Sequence, residues 1–309
     1  MNNALRSILF GSLLIGACAT DGDVDPATRT SVQAEREGDG AIAKESMAVR
    51  DARGFAKAAR TRTAGISYHG GPVLLGTTNA YYIWYGNWAN NTAVSILTDL
   101  ANTIGGSPYF NINTTYYNGS NTHVTNAVHY AGSTTDSYSQ GTALSDNAIQ
   151  AIVSAKIASG ALPKDTNGVY FVLTSADVNE TSGFCTQYCG WHTNATISGS
   201  DIKFAFIGNP DRCPSACEDQ SASSPNGNPG ADGMASIISH ELEETVSDPD
   251  LNAWYDRQGN ENADKCAWTF GATYAAANGS LANMKLGTRD FLIQQNWLNV
   301  GAGSCAKSY

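Results

Sequence analysis

Hydrophobic residues follow two different periods along this chain, and together they predict strands that alternate with helices. Short apolar runs bounded by turn residues predict strands, whereas apolar residues three and four positions apart predict helices. The predicted strands span residues 80–85, 109–117, 124–130, 169–173 and 202–207, and the predicted helices span 92–104, 145–159 and 231–246. This alternation predicts an α/β (α+β) domain in which helices cover a layered sheet.

The pattern changes sharply near residue 65 and divides the chain into a polar leader and a compact domain. Residues 19–65 are rich in charged and small side chains, so they bury too little apolar surface to fold alone. We interpret them as a flexible tether or a removable pro-segment, of which 41–60 could form a weak helix. Residues 66–309 have the length of one domain, and its irregular last part, 251–309, is expected to be held by a disulfide.

The first 18 residues have the pattern of an export signal. Arg6 ends a short basic start, and the apolar run over 8–15 is too short to span a bilayer. Small residues then lead to Cys18, so the segment resembles a bacterial lipoprotein signal in which that cysteine is acylated. Ordinary cleavage near Ala17 or Ala19 is the alternative. Both interpretations predict an extracellular or outer-membrane-anchored protein, which would contact a membrane only through a lipid anchor at Cys18.

Of the seven cysteines, six remain besides Cys18, and an even number in an exported chain predicts disulfides. A zinc site built from four of these thiols is the alternative, which an oxidising compartment and a spacing wider than Cys-x-x-Cys both disfavour. We predict local bridges within the two Cys-x-x-x-Cys pairs and a third bridge between the last two cysteines: Cys185–Cys189, Cys213–Cys217 and Cys266–Cys305.

The charge of the domain excludes one class of partner. The chain has 18 Lys and Arg against 28 Asp and Glu, and half of the bases lie in the first 65 residues. Because the remaining domain is strongly acidic, it lacks the basic footprint that nucleic-acid binding requires. No P-loop, Gly-x-Gly-x-x-Gly or Gly-x-Ser-x-Gly motif occurs, which also disfavours nucleotide chemistry and serine hydrolysis.

Several short motifs of aromatic, glycine and cysteine residues occur between residues 66 and 305. They include Tyr68-His69-Gly70-Gly71-Pro72, Ile83-Trp84-Tyr85-Gly86, Tyr170-Phe171-Val172-Leu173-Thr174-Ser175, Gly183-Phe184-Cys185, Cys189-Gly190, Cys213-Pro214 and Gly230-Ala231-Asp232-Gly233-Met234. These motifs resemble those of the EXORDIUM, or phosphate-induced protein 1, family of secreted plant proteins and their microbial relatives. The resemblance implies a secreted or cell-surface protein, associated in plants with growth and cell-wall responses, and it implies no defined chemistry.

The candidate chemistry lies on the third predicted helix, which reads His240-Glu241-Leu242-Glu243-Glu244. Residues four apart share a helix face, so His240 and Glu244 can bind one cation. The pattern resembles the zincin helix of zinc peptidases, in which ligands at i and i+4 flank a general-base Glu at i+1. Glu241 is therefore the candidate catalytic base. Zinc is the predicted metal, although the extra carboxylate would also suit another divalent cation such as calcium.

Two aspartates are candidates for a further metal ligand. Asp250 stands where the longer metzincin pattern places its third ligand, and Asp264 lies in an acidic loop beside Cys266. Asp248, before Pro249, is interpreted as a turn residue. His192 is interpreted as a hydrogen-bonding loop residue rather than a ligand.

The helical wheel distinguishes Glu241 from Glu243. At about 100° per residue, Glu241 falls among the apolar side chains of the helix and Glu243 falls on the opposite side. A carboxylate among apolar neighbours is costly unless it is protonated, paired or bound to a cation. Glu241 therefore needs an explanation, whereas Glu243 is expected to face solvent.

The sequence supports two hypotheses of function, one for an enzyme and one for a non-catalytic binding protein. The first is a zincin-like, metallopeptidase-like hydrolase that acts on a protein substrate. The second is a non-catalytic extracellular module that binds a cell-wall glycan or a surface partner through the aromatic segments 84–88 and 109–117.

Overall fold

The computed structural model describes residues 42–50 and 65–309, and it confirms an α/β domain built around one mixed sheet. The sheet has six strands in the order β1-β8-β9-β6-β3-β4, in which β9, β6, β3 and β4 are parallel while β8 and β1 are antiparallel additions. The strands up to residue 207 are β1 (Glu45–Ala48), β2 (Ser67–Tyr68), β3 (Thr78–Tyr85), β4 (Val128–Asp136), β5 (Ala143–Leu144), β6 (Gly168–Thr174), β7 (Asn179–Glu180), β8 (Tyr188–Ile197) and β9 (Ser200–Ile207).

The centre of the sheet is apolar on both faces. Every residue of β6 is buried, as expected for a parallel strand covered on both sides. β8 and β9 form a hairpin whose two turn residues, Ser198 and Gly199, both have positive φ (50° and 75°). A turn with two such residues matches the natural twist of paired strands, which explains why this hairpin is so tight.

Within residues 42–50 and 65–309, four α-helices and three short 3-10 segments accompany the sheet. The helices are α1 (Ala93–Thr103), α2 (Asp146–Ala158), α3 (Pro214–Cys217) and α4 (Pro229–Ser247), and the 3-10 segments are Phe110–Thr115, Pro210–Arg212 and Asp264–Cys266. Helix α1 packs on α4 and β4, α2 packs on β6 and β9, and α4 lies against β8, β9 and β1. Ser145 caps α2 by accepting a hydrogen bond from the backbone N–H of Ala148, as its position before the helix predicts.

The last part of the domain consists of short strand pairs and turns, some of which contact α4. The short strands are β10 (Trp254–Tyr255), β11 (Tyr274–Ala275), β12 (Leu281–Ala282), β13 (Met284–Leu286), β14 (Arg289–Phe291), β15 (Asn296–Leu298) and β16 (Ser304–Ala306).

None of the helices in residues 42–50 and 65–309 is both long and apolar enough to cross a membrane.

Two strand predictions were wrong. The predicted strand 109–117 contains a 3-10 helix, Phe110–Thr115, and strand 124–130 is displaced to β4. Of the weak helix expected over 41–60, the described residues 42–50 instead contain β1, which joins the edge of the main sheet, and residues 51–60 lie outside the described residues. Pairing with β8 supplies the hydrogen bonds that such a polar segment lacks alone. The predicted export signal and Cys18 lie outside the described residues.

The disulfide prediction was correct for one bridge and wrong for two. Cys266 does pair with Cys305, but the other bridges join one Cys-x-x-x-Cys pair to the other: Cys185–Cys213 and Cys189–Cys217. Cys213 and Cys217 bracket helix α3. Side chains four apart on a helix have Cβ atoms about 5–6 Å apart, beyond the roughly 3.8 Å that a disulfide needs. Two segments that each carry a Cys-x-x-x-Cys pair can instead lie side by side, so that each cysteine of one segment bonds to the corresponding cysteine of the other.

Candidate metal centre

Helix α4 places the candidate residues in the interior. Its cap is Asn228, whose side chain accepts a hydrogen bond from the backbone N–H of Ala231, and Pro229 occupies the first helical position. All residues from Gly230 to Ser247 are buried, because the sheet covers one side of α4 while α1, the 3-10 segment Phe110–Thr115 and loops of the C-terminal segment cover the rest. The helix was predicted correctly, but its expected solvent face does not exist.

Glu243 lies on the side of α4 that was expected to face solvent. Its side chain is fully buried rather than exposed. The hydroxyl of Tyr109 donates a hydrogen bond to Glu243 Oε2 at 3.0 Å. Burial raises the pKa of Glu243 well above its ordinary value, although the hydrogen bond from Tyr109 opposes this shift. The helical wheel failed because the C-terminal segment, which the helix pattern does not reveal, covers the polar side.

His240, Glu244 and Asp264 converge as the sequence predicts. His240 Nε2 lies 3.0 Å from Glu244 Oε1 and 3.4 Å from Asp264 Oδ1. The three side chains can present ligand atoms within 4.8 Å of one another, close enough to hold one metal ion. The backbone N–H of Asp264 also donates to Glu244 Oε1 at 3.0 Å, which ties the loop to the helix. Of the three, Asp264 alone is partly exposed, with 14% of its side chain accessible.

Gln294 orients the His240 ring. Its side-chain amide forms a hydrogen bond with His240 Nδ1, and its backbone N–H donates to the hydroxyl of Ser236 at 3.2 Å. Gln294 Oε1 has no hydrogen-bond partner in the described structure. If the amide rotates by half a turn, Oε1 accepts a hydrogen bond from Nδ1–H and leaves the Nε2 lone pair for a cation. Such an outer hydrogen bond is the usual companion of a ligating histidine.

Glu241 lies at the seam between α4 and the edge of the sheet. It is fully buried, as predicted, and the backbone N–H of Met47 in β1 donates to its Oε1 at 3.4 Å. A Cβ at Gly190 would lie 2.5 Å from Ile237 and 3.1 Å from Glu241 Oε1, so only glycine allows the helix to approach β8 this closely. Burial is the main reason that the pKa of Glu241 is raised well above its ordinary value.

Two further residues join the site: His192, which the sequence suggested only as a hydrogen-bonding loop residue, and Glu261, which it did not single out. His192 in β8 is fully buried, with its Nε2 2.8 Å from Glu261 Oε2 and 3.7 Å from Glu244 Oε2. His192, Glu241 and Glu244 form a second set whose ligand atoms lie within 4.8 Å of one another. Burial lowers the pKa of His192 to about 4, so its imidazole is neutral at ordinary pH and can act as a ligand. Its predicted location in a loop was wrong, because β8 was not predicted, but the hydrogen bond expected of it is formed with Glu261.

Glu244 belongs to both sets, so the side chains form one continuous group, which we call the donor cluster. Its acids outnumber its two imidazoles. The cluster comprises His192, His240, Glu241, Glu244, Glu261 and Asp264.

Many atoms of the donor cluster are orphaned. Five fully buried atoms lack a well-formed hydrogen bond within the described part of the chain: His192 Nδ1, His240 Nε2, Glu241 Oε2, Glu244 Oε2 and Glu261 Oε1. Of these, His240 Nε2 still lies within ion-pair distance of Glu244 Oε1. Buried polar atoms normally have such partners, and the exceptions require an explanation. Burial alone would lower the pKa of His240, but Glu244 and Asp264 outweigh it and hold that pKa well above its ordinary value. The cluster therefore attracts positive charge.

Two other sequence candidates belong to neither ligand set, although the side chain of Asp248 is hydrogen-bonded to Glu261 of the donor cluster. Asp250 does not join the cluster, since it is drawn to Lys203, whose Nζ lies 3.5 Å from its Oδ1. Asp248 accepts hydrogen bonds from the backbone N–H groups of Asn252 and Ala253, both at 2.6 Å, which matches its predicted role in a turn. The helix ends at Ser247, so Asp250 is carried away from the face that bears His240 and Glu244.

Comparisons with known proteins identify the family. The family model described as the phosphate-induced protein 1 conserved region matches residues 66–292. The chain belongs to the phosphate-induced protein 1 family. It is 33% identical to Protein EXORDIUM-like 5 of Arabidopsis thaliana, with 75% of each chain covered, and 30% identical to Protein EXORDIUM-like 3, with 76% of this chain and 81% of that protein covered. Protein PHOSPHATE-INDUCED 1 of Nicotiana tabacum is 27% identical, with coverages of 64% and 69%.

The phosphate-induced protein 1 region includes the whole donor cluster but excludes β1 and Gln294. No solved structure matches the chain. Because the three disulfides indicate an oxidising compartment, the protein is assigned to the exported or extracellular class.

Proposed function

We propose that this protein is an exported metal-binding protein, in which His240, Glu244 and Asp264 hold a divalent cation. The observation that carries the proposal is the set of orphaned, fully buried imidazole and carboxylate atoms in the donor cluster. Buried polar atoms without hydrogen-bond partners are unfavourable, and a cation bound by the deprotonated ligands would satisfy several of them together. One imidazole with two carboxylates is a ligand set that zinc accepts, so zinc is the first candidate.

The cation would also stabilise the fold. Glu244 belongs to α4, whereas Asp264 belongs to the C-terminal segment that is closed by Cys266–Cys305. A cation bound by both would connect the helix to the segment that covers it. Since such a site forms only in the folded chain, its binding free energy adds to the free energy of unfolding.

The test is the metal content of the purified full-length protein. We expect the wild type to contain stoichiometric metal by mass spectrometry and the variant His240→Ala to contain none. His129→Ala is the matched control, because His129 is exposed on β4, and it should retain the metal. A metal-free wild type whose melting temperature is unaffected by chelators would contradict the proposal.

Hydrolysis of peptide bonds is a second candidate function, favoured by the position of Glu241. This carboxylate directly follows His240, is fully buried, and lies beside a backbone N–H. As a general base, Glu241 would take a proton from water while the water oxygen adds to the peptide carbonyl carbon. It would return that proton to the amide nitrogen as the C–N bond breaks. A bound cation supplies Lewis acidity to the carbonyl.

The variant Glu241→Gln separates hydrolysis from metal binding. It preserves the shape of the side chain but removes the base, so we expect unchanged metal content and no cleavage of a peptide library analysed by mass spectrometry. Cleavage by Glu241→Gln at the wild-type rate would exclude Glu241 as the base.

The non-catalytic binding module is the remaining alternative, and the aromatic segments provide little support for it. Trp84, Trp88, Tyr109 and Tyr116 are all buried. They fill the core rather than form a surface platform on which a sugar could stack. Metal content distinguishes this alternative from the proposal, since a binding module needs no cation at His240.

A further inference from the structure

The donor cluster lies beneath an edge of the main sheet that another segment of the chain covers. β1 is the outermost strand and pairs with β8 in antiparallel register, with Glu45 opposite His192 and Met47 opposite Gly190. Without β1, the backbone of β8 would form the edge of the sheet. A sheet edge next to a reactive cluster is a natural site for an extended peptide, which adds to it as a further strand.

β1 brings an extended backbone directly to the proposed base. The backbone N–H of Met47 donates to Glu241 Oε1 at 3.4 Å, and Gly190 on β8 leaves the space in which this contact forms. Glu45 is one of the acids that raise the pKa of Glu261, after burial and after Asp248 and Glu244. The covering strand therefore reaches the donor cluster with both its backbone and its side chains.

The contacts of β1 show which peptides the edge would accept. Met47 and Val49 are buried, with 1% and 4% of their surfaces exposed, so two nearby positions take apolar side chains. The indole N–H of Trp268 donates to the carbonyl of Ala48 at 2.8 Å, and the N–H of Val49 donates to the carbonyl of Gln187 at 3.0 Å. Most of these contacts use backbone atoms of β1, which any extended peptide offers.

β1 also lies outside the region that defines the family. The match covers residues 66–292, whereas β1 ends at Ala48 and belongs to the segment that the sequence marks as a tether or pro-segment. Glu241, whose Oε1 accepts a hydrogen bond from the backbone N–H of Met47, is thus covered by a segment outside that region.

We propose that the edge of β8 is a binding site for an extended polypeptide with apolar side chains at two nearby positions, and that β1 is a displaceable occupant of this site. The inference rests on the proposed function, because it supplies the substrate class for the same centre. Displacement or proteolytic removal of β1 would open the donor cluster to a peptide that takes its place.

The test uses the full-length chain and a fluorescent peptide that copies residues 42–50. The variant Met47→Asp places a charge in the apolar position beside Glu241 and should release β1. Because β1 competes intramolecularly at high effective concentration, we expect the peptide to bind Met47→Asp at least about tenfold more tightly than the wild type. Ser46→Asp is the matched control: it adds the same charge to the neighbouring residue of β1, which is partly exposed, and should behave like the wild type.

Hydrogen exchange provides the second measurement. Those amides of residues 188–193 that point toward β1 should lose protection in Met47→Asp and regain it when the peptide is added, while those bonded to β9 stay protected. Lys44→Ala, which removes the ion pair of 2.7 Å between Lys44 and Asp146, releases β1 by an independent route and should give the same result. If neither variant binds the peptide more tightly than the wild type, the inference is overturned.

Metal content measured on the same samples separates the two proposals. Peptide binding by a metal-free protein would support the β8 site and contradict the metal centre. Stoichiometric metal with no gain in peptide binding would support the metal centre and contradict the β8 site.

Discussion

Two groups of buried acids lie next to β1, and they differ in how their charges are satisfied. Around Lys44, the ammonium lies 2.7 and 2.8 Å from the two carboxylate oxygens of Asp146 and 2.6 Å from the hydroxyl of Ser182. Glu180 accepts hydrogen bonds from Ser182 and Tyr188, at 2.6 and 2.5 Å. We call these five residues the lysine cluster. Each of its acids has partners for both oxygens.

The donor cluster has the opposite character. Five of its fully buried atoms have no well-formed hydrogen bond among the described residues, whereas no side-chain atom of the lysine cluster is in that state. A satisfied network of buried charges holds structure together, and an unsatisfied one indicates a missing partner. Hydrogen-bond satisfaction, rather than the number of acids, therefore distinguishes a structural cluster from a candidate ligand site.

The largest expected effect is that of metal removal. At free metal about 1,000 times above Kd, chelation should lower the free energy of unfolding by about 4 kcal/mol. Urea denaturation with and without chelator measures the difference, and readdition of zinc should restore the original curve. Coincident curves would mean that the donor cluster, like the lysine cluster, needs no cation.

Two adjacent glutamates on α4 sharpen the comparison. Glu244→Gln removes the carboxylate shared by both ligand sets, so metal affinity should fall by more than about 100-fold, the upper end for loss of an outer-shell partner. Glu243→Gln is the matched control, because Glu243 is equally buried but belongs to neither set. Titration against a chelating dye measures both. An equal loss of metal affinity in the two variants would show that the affinity depends on the total charge of α4 rather than on Glu244 as a ligand.

A smaller effect is expected when the lysine cluster loses its cation. Lys44→Met leaves Asp146 without its ion-pair partner, so the free energy of unfolding should fall by about 1–3 kcal/mol. Metal content should not change. Lys285→Met, at an exposed position, is the control and should be nearly neutral. Loss of metal in Lys44→Met would show that the two clusters are coupled through β1.

The smallest effect concerns pH. Burial is the main cause that raises the pKa of Glu180 above its ordinary value of 4.5, and Asp146 adds to it. Because the folded state holds this proton more tightly than the unfolded chain, the resulting stability is full below about pH 4.5 and is lost as the pH rises through the folded-state pKa. Glu180→Gln should therefore gain stability relative to the wild type between pH 4.5 and 7. A difference in melting temperature between Glu180→Gln and the wild type that stays the same at every pH would contradict this prediction.

The local part of the site was predictable from the sequence. The spacing of His240 and Glu244 places them on one face of a helix, since helix periodicity depends only on neighbours along the chain. Asp264 was found because it stands beside a cysteine in an acidic loop. His192 and Glu261 were missed because β8 was not recognised and because their contacts join residues far apart in sequence.

The pairing of segments was predicted poorly for the same reason. Equal spacing in Cys185/Cys189 and Cys213/Cys217 is compatible with local or crossed bridges, and only the packing of two segments side by side selects the crossed pair. The β1 segment has too few apolar residues to indicate a strand in the sequence, yet it forms one because its backbone pairs with β8.

By itself, the sequence determined the α/β class, the central strands, helix α4 and the His240–Glu244 pair, because each depends on periodicity over a few turns or a few strand residues. Only the tertiary structure decided that α4 has no solvent face, that Glu243 is buried and that His192 joins the donor cluster. Burial and long-range convergence depend on which surfaces meet, and one-dimensional patterns do not carry that information.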